Sequence, residues 1–80
     1  MITIYKTPIC PRCKQLTAYL DSINYRYEEA SLEDAGVIAE MRCEGFFGVM
    51  APVIEKDGYH GPEEFFDGDR LNVEKLGRLL

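Results

Sequence analysis

The sequence predicts an α/β fold, a four-stranded mixed β-sheet flanked by three helices in the order β-α-β-α-β-β-α. Three observations carry that reading. An alternating stretch over residues 2–6 leads into a helical run that opens with Cys10, Pro11, Arg12 and Cys13. A second alternating stretch around Tyr25 and Tyr27 leads into another helical pattern. Asp57-Gly58, between two short apolar segments, is a strong hairpin signal. A strand-helix-strand unit forces a parallel pair through a crossover, and the hairpin adds an antiparallel pair, so the sheet is mixed.

Each element has a local reason. Residues 2–6 alternate apolar and polar, with Ile2 and Ile4 on one side, and read as a strand. Thr7-Pro8-Ile9 is a loop, because Pro8 restrains its neighbour and cannot donate to a ladder. Pro11 suits a first helical position, and Cys13, Leu16, Leu20 and Ile23 then recur on one helical face to about Ser22. A second strand is expected from Asn24 to Glu29. Ser31-Leu32-Glu33-Asp34 resembles a capping box, with Ala35, Ile38 and Met41 on the apolar side of the helix that follows and Gly45 ending it.

Phe46 to Met50 reads as a loop, and Ala51 to Glu55 as a short strand that starts at a proline. Asp57-Gly58 turns the chain into a return strand at Tyr59. Glu64-Phe65-Phe66 is expected to extend the sheet. Asn72 caps a last helix whose Val73, Leu76, Leu79 and Leu80 cover one side.

Eighty residues, 46% hydrophobic, are read as one domain over 1–80. The net charge of −5 supplies no basic face to neutralise phosphates, so neither a nucleic acid nor an anionic membrane is an expected partner. No apolar stretch approaches the ~20 residues of a membrane span. The opening Met1-Ile2-Thr3-Ile4-Tyr5-Lys6 has neither a charged leader nor a long apolar core, so no signal peptide is read. The expected compartment is the reducing cytoplasm, and the expected state a monomer.

In that compartment the three cysteines do not read as staples. Cys10 and Cys13, three residues apart at a helix start, lie on one face within reach of a small disulfide ring. The helix N-terminus favours negative charge and pushes the first sulfur toward the thiolate. A dithiol redox pair is the first reading. The rival is a metal- or iron-sulfur-binding carrier, with Cys10, Cys13, Cys43 and His60 as a closed zinc set. Taken alone, Cys43 reads as a semi-buried apolar residue or a spectator thiol, with a regulatory or intermolecular thiol as the alternative, and His60 as a surface strand residue. Phe46-Phe47 and Phe65-Phe66 are core packing or an apolar docking rim, and the acidic stretch at Glu63, Glu64, Asp67 and Asp69 a solvated face.

Tyr5-Lys6-Thr7-Pro8-Ile9-Cys10-Pro11-Arg12-Cys13 and Ala51-Pro52-Val53, in that element order, resemble the thioredoxin fold in its short glutaredoxin form. Pro8 and the Ala-Pro-Val triplet are similar to the NrdH-redoxins within that group. The resemblance implies a thiol-disulfide oxidoreductase with Cys10 as nucleophile and Cys13 as resolving thiol, acting on protein disulfides and holding no bound cofactor. It implies a cis-proline at Pro52 facing the disulfide, with Met50, Ala51, Pro11, Arg12, Lys6, Thr7, Gly68 and Asp69 contacting substrate. Thioredoxin reductase or glutathione is implied as the electron source, and ribonucleotide reductase as a candidate partner. The chain departs from the glutaredoxin pattern in three places. Thr7 replaces a lysine, Met50-Ala51 replaces Thr-Val, and Asp67-Gly68-Asp69 only partly echoes the late Gly-Gly-x-Asp-Asp segment.

Overall fold

In the computed structural model, which describes residues 1–47 and 50–80, the first strand is the pivot of the sheet. Strand β1 (Ile2–Lys6) leads through a loop to helix α1 (Pro11–Ser22), and strand β2 (Tyr27–Ser31) returns parallel to β1, with Ile2 opposite Tyr27 and Lys6 opposite Ser31. Helix α2 (Ala35–Cys43) precedes β3 (Val53–Glu55), which pairs antiparallel with the other edge of β1 through Ile4 and Ile54. Strand β4 (Tyr59–His60) closes the order β2-β1-β3-β4. The expected four-stranded mixed sheet and three helices are present. No helix among the described residues is long and apolar enough to cross a membrane.

Alternation along β1 divides the core into two layers. Ile2 and Ile4 pack with Leu16 and Leu20 of α1, Ile54 of β3, and Phe65, Phe66 and Leu76. Leu32, Met41 and Val53 form the other layer, with Tyr5, Val37, Phe46 and Tyr59 against them. Helix α1 therefore covers one face of the sheet and α2 the other. Each fully buried Leu or Ile contributes about 1.5–3 kcal/mol of transfer free energy.

Helix ends account for two shifts from the sequence reading. The second strand, expected from Asn24, starts at Tyr27 because Asn24 adopts a left-handed conformation (φ 56°) and closes α1. The Asn24 N–H donates to Asp21 O at 3.1 Å and the Tyr25 N–H to Leu20 O at 2.9 Å, which satisfies the last carbonyls of the helix. Ile23, expected on the buried face, is the C-cap residue and is exposed. Ser31 does not cap α2: it ends β2, and its Oγ accepts from the Glu33 N–H at 3.1 Å. Asp34 is the cap, accepting from the Gly36 N–H at 2.8 Å. Gly45 (φ 81°) ends α2 as expected, with the Phe46 N–H returning to Met41 O at 2.9 Å.

Residues 61–72 differ most. Glu64-Phe65-Phe66 does not extend the sheet. Pro62–Glu64 forms a 3-10 turn, and β5 (Phe66–Asp67) pairs only with β6 (Arg70–Leu71), as a separate two-stranded hairpin. Gly68 (φ 62°) is the first residue of its two-residue loop, the position where such a turn requires glycine. Phe65 and Phe66 are core residues with ring centroids 5.4 Å apart, not a docking rim.

The last helix is α3 (Val73–Leu79), and the Asn72 side chain accepts from the Lys75 N–H at 3.0 Å, as the sequence predicts. Leu76 is buried, whereas Val73 is exposed. The Asp67 carboxylate accepts from Asn72 Nδ2 at 2.7 Å and Lys75 Nζ at 2.9 Å. The bonds from Lys75 and then Asn72 hold this carboxyl below its usual range, so Asp67 is a tether of the cap rather than part of a free acidic face. The expected loop over 46–50 lies partly outside the described residues, at Gly48 and Val49.

Candidate functional site

Because β3 runs antiparallel to β1, the end of β1 and the start of β3 meet at one end of the sheet. That brings Cys10 to Ala51 across some forty residues of chain. Cys10 is the N-cap of α1, with extended backbone (φ −148°), and Pro11 takes the first helical position. Cys10 and Cys13 are joined as a disulfide with their Cα atoms 5.2 Å apart. The Cys13 N–H donates to Cys10 Sγ at 3.1 Å, and the Lys14 N–H donates to Cys10 O at 3.2 Å. A cap that is ordinarily a hydroxyl or carboxylate is here a sulfur, so the helix directs a backbone donor at it. Residue exposure is 8% for Cys10 and 4% for Cys13.

Two shallow clefts touch this pair. One, of about 340 Å³, is lined by Thr7, Cys10, Pro11, Arg12, Leu32, Met50 and Ala51. The other, of about 100 Å³, is bounded by Lys6, Thr7, Cys10, Cys13, Lys14 and Thr17. The Ala51–Pro52 peptide bond is cis, as the resemblance implies, and Pro52 is buried behind Ala51. The fold thus assembles Cys10, Cys13, Pro11, Arg12, Lys6, Thr7, Met50 and Ala51.

The remaining expected contacts stand apart. Gly68 lines a neighbouring depression with Arg12 and Met50 rather than the clefts at the disulfide. Asp69 lines none of these three depressions. Its carbonyl accepts from Gln15 Nε2 at 2.6 Å, while Gln15 Oε1 accepts from the Leu71 N–H at 3.3 Å. Gln15 thereby clamps the β5–β6 hairpin to α1. Lys6 is ion-paired with Glu29 on the adjacent strand and is not a free cation.

Several residues at the site escape sequence reading: Ile9, Leu32, Lys14 and Thr17. Thr17 stands one turn after Cys13, and its Oγ1 donates to Cys13 O at 3.0 Å, so helical spacing alone points to it. Ile9 directly precedes Cys10 between two prolines. Leu32 carries no local signal: its N–H donates to Lys6 O at 2.9 Å, a contact set by the parallel crossover.

No group of three or more His, Cys, Asp or Glu side chains is gathered as a metal-binding cluster among the described residues. Cys43, expected to be semi-buried or a spectator, is an exposed free thiol at the end of α2. His60 belongs to a different cleft, lined also by Lys56, Glu64, Lys75 and Arg78. Its Nδ1 lies 3.0 Å from Glu64 Oε1 and its Nε2 lies 3.2 Å from Lys56 O. Burial opposes its protonation, but the bonds to Glu64 and to the Lys56 carbonyl outweigh burial and raise the imidazole above its ordinary value. The folded protein therefore holds this proton more tightly than the unfolded chain. The stabilisation is complete below the ordinary value of 6.5 and is lost as pH rises through the folded value. Thermal unfolding is expected to show a small loss of stability across that window, which His60→Asn removes; an unchanged slope in the variant contradicts the assignment.

Comparison with protein-family models, with curated proteins and with solved structures gives no match for this chain.

Proposed function

We propose that the protein is a thiol-disulfide oxidoreductase of the glutaredoxin-like thioredoxin fold, working through Cys10 and Cys13. The observation that supports this most is the sulfur at the N-cap of α1, accepting a backbone N–H from the residue to which it is disulfide-bonded. In the reduced protein the same donor and the helix dipole stabilise a Cys10 thiolate. That thiolate attacks one sulfur of a substrate disulfide. A Cys10–substrate bond forms, the substrate S–S bond breaks, and the leaving thiolate takes a proton from water. Cys13 then gives up its proton and attacks Cys10 Sγ, which releases the second substrate thiol and closes the intramolecular disulfide. Two electrons have passed from the dithiol to the substrate.

Each neighbour has a part in this scheme. Pro11 fixes φ at the helix start without an unpaired donor. The main chain at Ala51, beside the sulfur and next to buried Pro52, offers an edge for an extended substrate strand. Arg12, Thr7 and Met50 form the walls. Protein disulfides in the cytoplasm are the proposed substrates, with ribonucleotide reductase among the candidates, and the protein acts as a monomer. Electrons come from thioredoxin reductase or from glutathione. A coupled assay that supplies each system in turn tests the proposal: NADPH consumption with a model disulfide is expected with one of them. No turnover with either donor, and none with a chemical dithiol, overturns it.

A further inference from the structure

The clefts at the disulfide are lined by basic rather than acidic side chains, although the molecule as a whole is acidic. The chain carries 14 Asp and Glu against nine Lys and Arg, yet no carboxylate among the described residues lines either cleft at Cys10. Between them these clefts hold Lys6, Arg12 and Lys14. Lys6 is neutralised by Glu29, whereas Arg12 and Lys14 have no carboxylate partner among the described residues. The two free cations stand on different sides of Cys10, Arg12 in the cleft toward Met50 and Lys14 in the one toward Thr17. Glu63 lines the adjoining depression together with Arg12 and bounds the basic surface there.

The second feature is apolar. Ile9 is 91% exposed and Met50 is 56% exposed, and both line the cleft that holds Arg12. These two side chains contribute to neither core layer. A small hydrophilic anion gains nothing from them, whereas a peptide side chain does.

Resting on the thiol-disulfide reading, we infer that the preferred substrate is an extended protein segment whose disulfide-bonded cysteine is flanked by acidic residues and by a large apolar residue. Its carboxylates meet Arg12 and Lys14, and its apolar side chain lies against Ile9 and Met50. The exchange is the one given above: the segment's S–S bond is reduced to two thiols as Cys10 and Cys13 are oxidised to their disulfide. Charge acts mainly on encounter, so the preference weakens with salt.

The test uses short peptides carrying one cysteine as a mixed disulfide with neutral 2-mercaptoethanol, in acidic, neutral and basic versions, each with and without a flanking leucine. Exchange rates with the reduced protein are measured at low and high ionic strength, beside bis(2-hydroxyethyl) disulfide and glutathione disulfide. At low salt the acidic peptide is expected to react roughly tenfold faster than the basic one, converging as salt rises. Arg12→Glu with Lys14→Glu is expected to bring the acidic-to-basic ratio to one or below, and Ile9→Ser with Met50→Ser to remove the advantage of the leucine. Equal rates for all charges, with the neutral disulfide still reduced, overturn this inference and leave the oxidoreductase reading standing. Glutathione disulfide reacting as fast as the best peptide, with Ile9→Ser and Met50→Ser without effect, overturns the protein-segment assignment. Failure to reduce any of these disulfides overturns the underlying reading itself.

Discussion

Cys10→Ser is expected to abolish turnover of a disulfide substrate, by at least about a thousandfold, because the proposed mechanism uses the Cys10 thiolate as nucleophile and a serine hydroxyl does not ionise near neutral pH. The variant should still fold. Serine is a favoured N-cap and can accept the Cys13 N–H that Cys10 Sγ accepts here, so α1 keeps its cap. Circular dichroism checks that point and separates lost chemistry from lost structure. Cys13→Ser should behave differently: Cys10 still attacks, but nothing displaces the product, so a Cys10–substrate mixed disulfide accumulates and is visible by mass spectrometry. Undiminished turnover in Cys10→Ser, or a trapped adduct on Cys43 instead of Cys10, contradicts the roles assigned to the two thiols.

Phe65→Ala should be the most destabilising single substitution outside the site. Phe65 follows the 3-10 turn, is 0% exposed, and fills the layer between β1, α1 and Leu76 of α3. Truncating a buried Phe costs about 3–5 kcal/mol, through lost transfer energy and the cavity left behind. A chain of 80 residues has roughly 4–12 kcal/mol of net stability in total, so the loss is between about a quarter and the whole of it. Urea unfolding should show a transition moved to much lower denaturant or absent. Val73→Ala, at a position 46% exposed, should stay within about 0.5 kcal/mol of the parent. Similar midpoints for the two variants would show that Phe65 is not the core residue described here.

The parts of the fold legible in the sequence are those whose signal is local. The alternation of Ile2 and Ile4, the Leu16 and Leu20 spacing, the Asp57-Gly58 turn and the Asn72 cap each depend on a few adjacent residues, and each stands where expected. The misplaced boundaries come from residues with two competing uses. Asn24 can open a strand or take the left-handed turn that ends a helix, and Ser31 can cap a helix or bond to the residue two places on. The β5–β6 hairpin was illegible because strands of two residues are too short to show alternation. At the site, the Cys10–Cys13 pair and its place at a helix start were visible in the spacing, and the cis bond before Pro52 came through the resemblance. The Lys6–Glu29 pair and the meeting of Ile9 and Met50 around one cleft were not, since both depend on strand pairing between distant parts of the chain.

The most direct test of the central claim is the pH dependence of alkylation at each cysteine of the fully reduced protein, followed by peptide mass mapping. The helix N-terminus should make Cys10 react as a thiolate well below the ordinary cysteine pKa of about 8.5. A Cys10 profile centred at or above that ordinary value would contradict the claim that the head of α1 activates this sulfur.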